Sequence, residues 1–160
     1  MPLILRMIRK SRWEAEKPSW LKEGEFHADP LGDFVTRSNT ISVWRVEDDK
    51  SNLRRLVTAL AANRDKFDMF EYILFDEKLL SVLDIKVQGT EGDTPDKEVN
   101  AWHNDLVEIS AQKLVKLVES VWENRTEIER IPAKKIQEWV LHGKEAGELE
   151  VSKIRIKNLL

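Results

Sequence analysis

Runs with a two-residue period stand beside runs with a helical period in this chain, and that mixture restricts it to folds in which strands and helices share a core. Thr40-Ile41-Ser42-Val43-Trp44-Arg45-Val46 is rich in β-branched and aromatic residues. Asp33-Phe34-Val35-Thr36-Arg37 precedes it across Ser38-Asn39, a pair suited to a tight turn because Asn accepts a left-handed backbone. A β-hairpin is expected here. Directly afterwards Leu53, Leu56, Val57, Leu60 and Ala61 recur at helical spacing behind the acceptors Glu47, Asp48, Asp49 and Ser51, which predicts a helix ending near Arg64.

The same reading extends along the chain. Leu3, Ile4, Leu5, Met7 and Ile8 form an apolar opening that reads as a strand. Residues 13–32 have no period and carry Pro18, Gly24, Pro30 and Gly32 among Trp13, Trp20 and Phe26, so a long loop pinned by aromatics is expected. Tyr72-Ile73-Leu74-Phe75 reads as a strand, with a helix over 67–83 as the alternative, and Leu83, Ile85 and Val87 alternate around Asp84 and Lys86. Thr94-Pro95-Asp96 has the signature of a helix start, and the helix is expected to run to about Asn124. Pro132 opens another, carrying Ile136, Trp139 and Val140 and stopping near Gly143. Residues 148–160 fit a strand or a short helix. No internal repeat or linker divides the chain. The expected fold is a single α+β domain over 1–160: a small, mostly antiparallel sheet covered by helices near 51–64, 96–124 and 132–142, one of them long.

With 160 residues, 41% of them hydrophobic, a core can form without staples. Cysteine is absent, which removes disulfide scaffolds, thiolate metal sites and cysteine nucleophiles, and fits a reducing cytoplasm. No apolar run approaches the roughly 20 residues of a bilayer span, and the opening residues have the wrong order for an export signal. No membrane association is expected.

The net charge of -3 hides an asymmetry. Arg6, Arg9, Lys10 and Arg12 near one end, with Lys153, Arg155 and Lys157 near the other, face no acid within their own segments. The remaining 19 cations stand against 29 acids, so the middle carries -10. Nucleic-acid binding would have to be confined to the two basic ends, and only if they lie side by side. The plainer reading is that these cations keep edge strands and termini soluble.

On the expected helix over 96–124, His103 falls at the centre of a stripe containing Val99, Leu106, Val107, Ser110, Leu114, Leu117, Val118 and Val121. A buried imidazole needs a partner, since leaving it unpaired costs about 1–3 kcal/mol. A core histidine is the plainer reading; a pocket in which His103 acts as acid, base or ligand is the functional one. His27 and Asp29 could join His103 around a metal, although Asp105 would point away from His103 on a helix. No G-x-S-x-G elbow, Walker loop or G-x-G-x-x-G occurs, and Gly89-Thr90-Glu91-Gly92-Asp93 is too acidic to cradle phosphate. No cofactor or metal is expected.

Six tryptophans remain to be explained. Trp13, Trp20, Trp44 and Trp102 are the candidate binding tryptophans: Trp13 and Trp20, with Phe26 and Phe34, are expected first to anchor the long loop and second to form a patch for a protein partner, and base stacking by Trp13 beside Arg12 or Trp44 beside Arg45 comes third. The leading expectation is a non-catalytic interaction protein, such as an adaptor, inhibitor or immunity-like partner, that binds another protein through an acidic, tryptophan-bearing surface. A small hydrolase or nucleotide-processing enzyme built on His103 is the alternative, and nucleic-acid binding through Arg6, Arg9, Arg12, Lys153 and Arg155 is the third. Self-association is left open.

Overall fold

Period-two alternation sorts the strand residues onto two faces of one antiparallel sheet, whose first strand in sequence lies inside it. The computed structural model of the chain describes residues 1–157. In order, it runs through β1 Leu3–Met7, α1 Lys10–Glu14, a 3-10 turn Asp29–Asp33, β2 Ile41–Val46, α2 Leu53–Ala62, β3 Phe70–Asp76 and α3 Lys78–Val82. There follow β4 Lys86–Gly89, α4 Lys97–Asn100, β5 His103–Val107, α5 Ala111–Asn124, β6 Glu127–Ile131, α6 Ala133–Glu145 and a second 3-10 turn Val151–Lys153. The strand order is β4-β5-β2-β1-β3-β6. Leu5 pairs with Trp44 on one side and Leu74 on the other, which sets the register of the central strands.

Leu5, Trp44, Val46, Tyr72 and Leu74 project to one face, where Leu56, Val57 and Leu60 of α2 and Ile136 and Val140 of α6 cover them. Ile4, Val43, Ile73, Phe75 and Leu106 project to the other, beneath Leu117, Val118 and Val121 of α5, with Trp13 and Phe34 beside them. The fold is α+β, with helices on both faces of the sheet. No helix among the described residues is long and apolar enough to cross a membrane.

The helix expected over 96–124 is three elements. Asp96 accepts from the backbone N–H groups of Glu98 and Val99 at 2.9 and 3.3 Å, capping the four-residue α4. His103 to Val107 then alternates inward and outward between β2 and β4. Glu108 takes a positive φ of 57°, and Ser110 accepts from the Lys113 N–H to start α5. Strand pairing on both sides outweighs the helical spacing of Val99, Leu106 and Ser110, so the stripe that placed His103 at its centre does not exist.

The expected hairpin is half formed. Ser38 and Asn39 adopt φ of 51° and 57°, and Arg37 bridges Thr40, but residues 33–35 do not pair as a strand. Phe34 turns into the core and Asp33 collects buried donors, while β2 pairs instead with β1 and β5. The alternation at 83–87 is displaced: Asp84 has φ of 53°, Ile85 is buried, and β4 begins at Lys86. The helix from Pro132 continues past Gly143, whose missing side chain lets α6 approach Thr58 and Leu149; Gly147, at φ 73°, follows its end. Of the stretch 148–160, Val151–Lys153 is a 3-10 turn, and 158–160 lie outside the described residues.

Candidate functional site

The loop between α1 and the first 3-10 turn is fastened at both ends by one aromatic pile. The Trp13 ring stacks on Trp122 of α5 at a centroid distance of 5.9 Å, and the His27 ring stacks on the same indole at 5.4 Å. Trp13 is 1% exposed and packs against Phe34; its Nε1 donates to Asp33 Oδ2 at 2.9 Å. His27 is buried, with Nε2 unpartnered. Two local turns shape the intervening segment: Leu21 N–H bonds Pro18 O, and Glu25 N–H bonds Lys22 O. Within the first of them Trp20 stands 74% exposed. Glu14, Glu16, Glu23 and Glu25 of the same segment are exposed, against only Lys17 and Lys22.

Of the tryptophans read as a binding surface, this leaves Trp20. Trp13 and Trp44 are core residues and Trp102 is half-buried against the α2 side of the sheet, so neither Trp13 beside Arg12 nor Trp44 beside Arg45 offers a face for stacking a base. Their large apolar area closes the two layers instead.

His103 lies on β5, with its ring edge-on to Trp44 at 4.7 Å. On a strand Asp105 shares its face, and the row continues across to Ser42 on β2. Thr90 Oγ1 donates to Asp105 Oδ2 at 3.0 Å and lies 2.7 Å from His103 Nδ1, while Ser42 Oγ donates to Asp105 Oδ1 at 3.2 Å. With its single proton on the carboxylate, the Thr90 hydroxyl accepts from His103 Nδ1, which fixes the tautomer with the proton on that nitrogen. The group tethers the loop after β4 to β5. The metal set of His27, Asp29 and His103 is not assembled: His27 packs on α5, and His103 lies on the opposite face of the sheet beside Trp44.

The basic ends are divided by their environments. Arg6 Nε donates to Asp33 O at 2.9 Å and Nη1 to Ser42 O at 2.6 Å; burial pulls its pKa below the ordinary value, opposed by the Asp33 charge. Arg12 is paired with Asp33 Oδ1 at 2.7 Å. A Cβ at Gly32 would stand 2.9 Å from the Arg12 Nη1, so glycine leaves room for this pair. Lys153 pairs with Glu150 on the surface.

Arg9 and Arg155, in contrast, line one cleft of about 620 Å³, at the C-terminal ends of β1, α2 and β6 and the N-terminal end of β3. Arg64, Lys66 and Arg130 join them there. The Arg64 guanidinium lies 4.7 Å over the Phe70 ring and donates to Met69 O at 2.9 Å. Burial lowers its pKa, against the opposing charges of Asp68 and Glu71. The sequence carries no signal for these three cations, because Arg64 and Lys66 come from the loop after α2 and Arg130 from β6, more than 60 residues apart.

No protein-family model, curated protein or solved structure matches the chain.

Proposed function

We propose that this chain is a protein-binding module whose recognition element is the loop of residues 14–26, with Trp20 as its anchor. The observation that carries the reading is the 74% exposed indole on a loop whose two ends stack on the single ring of Trp122. An exposed tryptophan supplies a large amphipathic contact, and such residues dominate interface energetics. Fastened loop ends reduce the ordering cost of binding. Glu16, Glu23 and Glu25 beside Trp20 select a partner with an apolar pocket rimmed by Lys and Arg, since complementary charge speeds encounter and disfavours acidic surfaces.

The test uses a partner recovered with the wild-type chain and then purified. Trp20→Ala should weaken its binding by about 2 kcal/mol or more in calorimetry, with the thermal midpoint of the free chain unchanged. Charge reversal at Glu16, Glu23 and Glu25 should mainly slow association and flatten its salt dependence. Equal affinity for the wild type and Trp20→Ala would overturn the proposal.

A further inference from the structure

We propose that the cleft lined by Arg9, Arg64, Lys66, Arg130 and Arg155 binds a compact ligand carrying one or two phosphate groups. The site is independent of the Trp20 loop. Five cations converge there on a chain whose net charge is negative, and Ser11 adds a hydroxyl. Two of the guanidinium groups are held in place before any ligand arrives. Arg64 is fixed by the Met69 carbonyl and the Phe70 ring. Arg130 is fixed by Glu71 Oε1, at 2.6 Å from its Nε and 2.5 Å from its Nη2, while the other oxygen of Glu71 accepts the Lys10 N–H.

Arg9, Lys66 and Arg155 form no ion pair among the described residues, so their charge is available to a ligand. Arg9 and Arg155 are anchored through their backbones, to Asp33 Oδ2 and Ala62 O respectively, and their side chains are spared. Guanidinium groups match phosphate oxygens with paired, charge-assisted hydrogen bonds. The volume of about 620 Å³ falls in the range of small-molecule sites.

The acids decide the ligand's size. Glu71 is occupied by Arg130, but Asp65 and Asp68 also line the cleft. Together with the acidic middle of the chain they repel a long polyanion running through the site, while a compact anion contacts the cations alone. No aromatic face for stacked bases accompanies the cleft, since Phe70 is buried under Arg64.

Inorganic pyrophosphate is the probe, titrated into the full chain by calorimetry at low and moderate salt. One saturable site is expected, weakening with salt, together with a raised thermal midpoint by linkage. Arg9→Ala with Arg155→Ala should weaken binding by about tenfold or more, whereas Lys153→Ala, outside the cleft, should leave it unchanged. Lys66→Glu, on an exposed side chain, provides the same loss of binding should the double variant fail to fold. Absence of saturable binding at millimolar pyrophosphate would overturn the proposal, as would affinity unaffected by the cleft variants. Tighter binding of a single-stranded oligonucleotide than of pyrophosphate, with a steep salt slope, would also overturn it in favour of a polyanion surface.

Discussion

The indole Nε1 of Trp13 donates to the buried Oδ2 of Asp33 at 2.9 Å, joining the start of the exposed loop to its end. The same carboxylate accepts from Arg12 Nη1 and from the Arg9 N–H, so three donors from one short segment converge on it. Asp33→Asn places an amide N–H₂ where only acceptors fit and should cost about 2–4 kcal/mol. Trp13→Phe should cost about 1.5–3 kcal/mol, because it removes a hydrogen bond to a charged group. Urea unfolding of both variants and of the double variant should show strong coupling. Simply additive losses would mean that the two side chains act independently.

Trp122 carries both ends of the loop, so its removal should act on the loop before the sheet. Trp122→Phe retains part of the stack, whereas Trp122→Ala frees His27 and leaves Trp13 with Phe34 alone beside its ring. The alanine variant should lose about 2–4 kcal/mol. It should also be cut faster by trypsin after Lys22, the lysine of this loop not followed by proline, as local opening becomes cheaper. Cleavage at the wild-type rate would show that the loop is held by something other than this pile.

Tyr72 gives the chain a defined alkaline limit. Its Oη donates to Glu127 Oε1 at 2.8 Å, and Lys50 pairs with the other oxygen of that carboxylate. Burial first, then the bond to Glu127, holds the phenol pKa well above its ordinary value. The contribution is complete below about pH 10, where the tyrosine of the unfolded chain ionises, and is lost as pH rises further, because the unfolded state gives up its proton first. The slope should approach about 1.4 kcal/mol per pH unit for this one group. Tyr72→Phe should remove that component of the slope. An identical alkaline decline in both proteins would place its origin elsewhere.

The parts of the fold legible in the sequence were those in which local pattern and tertiary burial agree. α2 has an apolar stripe facing a sheet and carries a strong signal, whereas β3 is buried on both faces, so its apolar run at Tyr72–Phe75 reads as a strand but leaves a helix over 67–83 as an alternative. β6 carries almost none: its isoleucines, Ile128 and Ile131, are three residues apart and fall on opposite faces of an edge strand, so no two-residue period emerges. The segment around His103 misled for the opposite reason, since a chance helical spacing spans a short helix, a strand and a second helix. Asp105, dismissed as facing away from His103, shares its face once the residues are extended. For the loop, the expectation of aromatic pinning applies to Trp13 and Phe26 but not to Trp20, because composition cannot show which aromatic finds a partner ring. The cleft was legible only as two cations from the two ends.

β1 lies between β2 and β3, and this placement governs how the chain can be assembled during synthesis. Leu3 pairs with Val46 on one side and Asp76 on the other, so the earliest strand to be made has no complete set of neighbours until about half of the chain has followed it. The strands that flank this central trio come later still, β5 with residue 107 and β6 with residue 131. The interior of this sheet therefore closes by long-range pairing, which makes folding slow relative to a helical protein of the same size. Until then the apolar run from Leu3 to Ile8 depends on Arg6 within it and Arg9 after it to keep it from pairing with other chains.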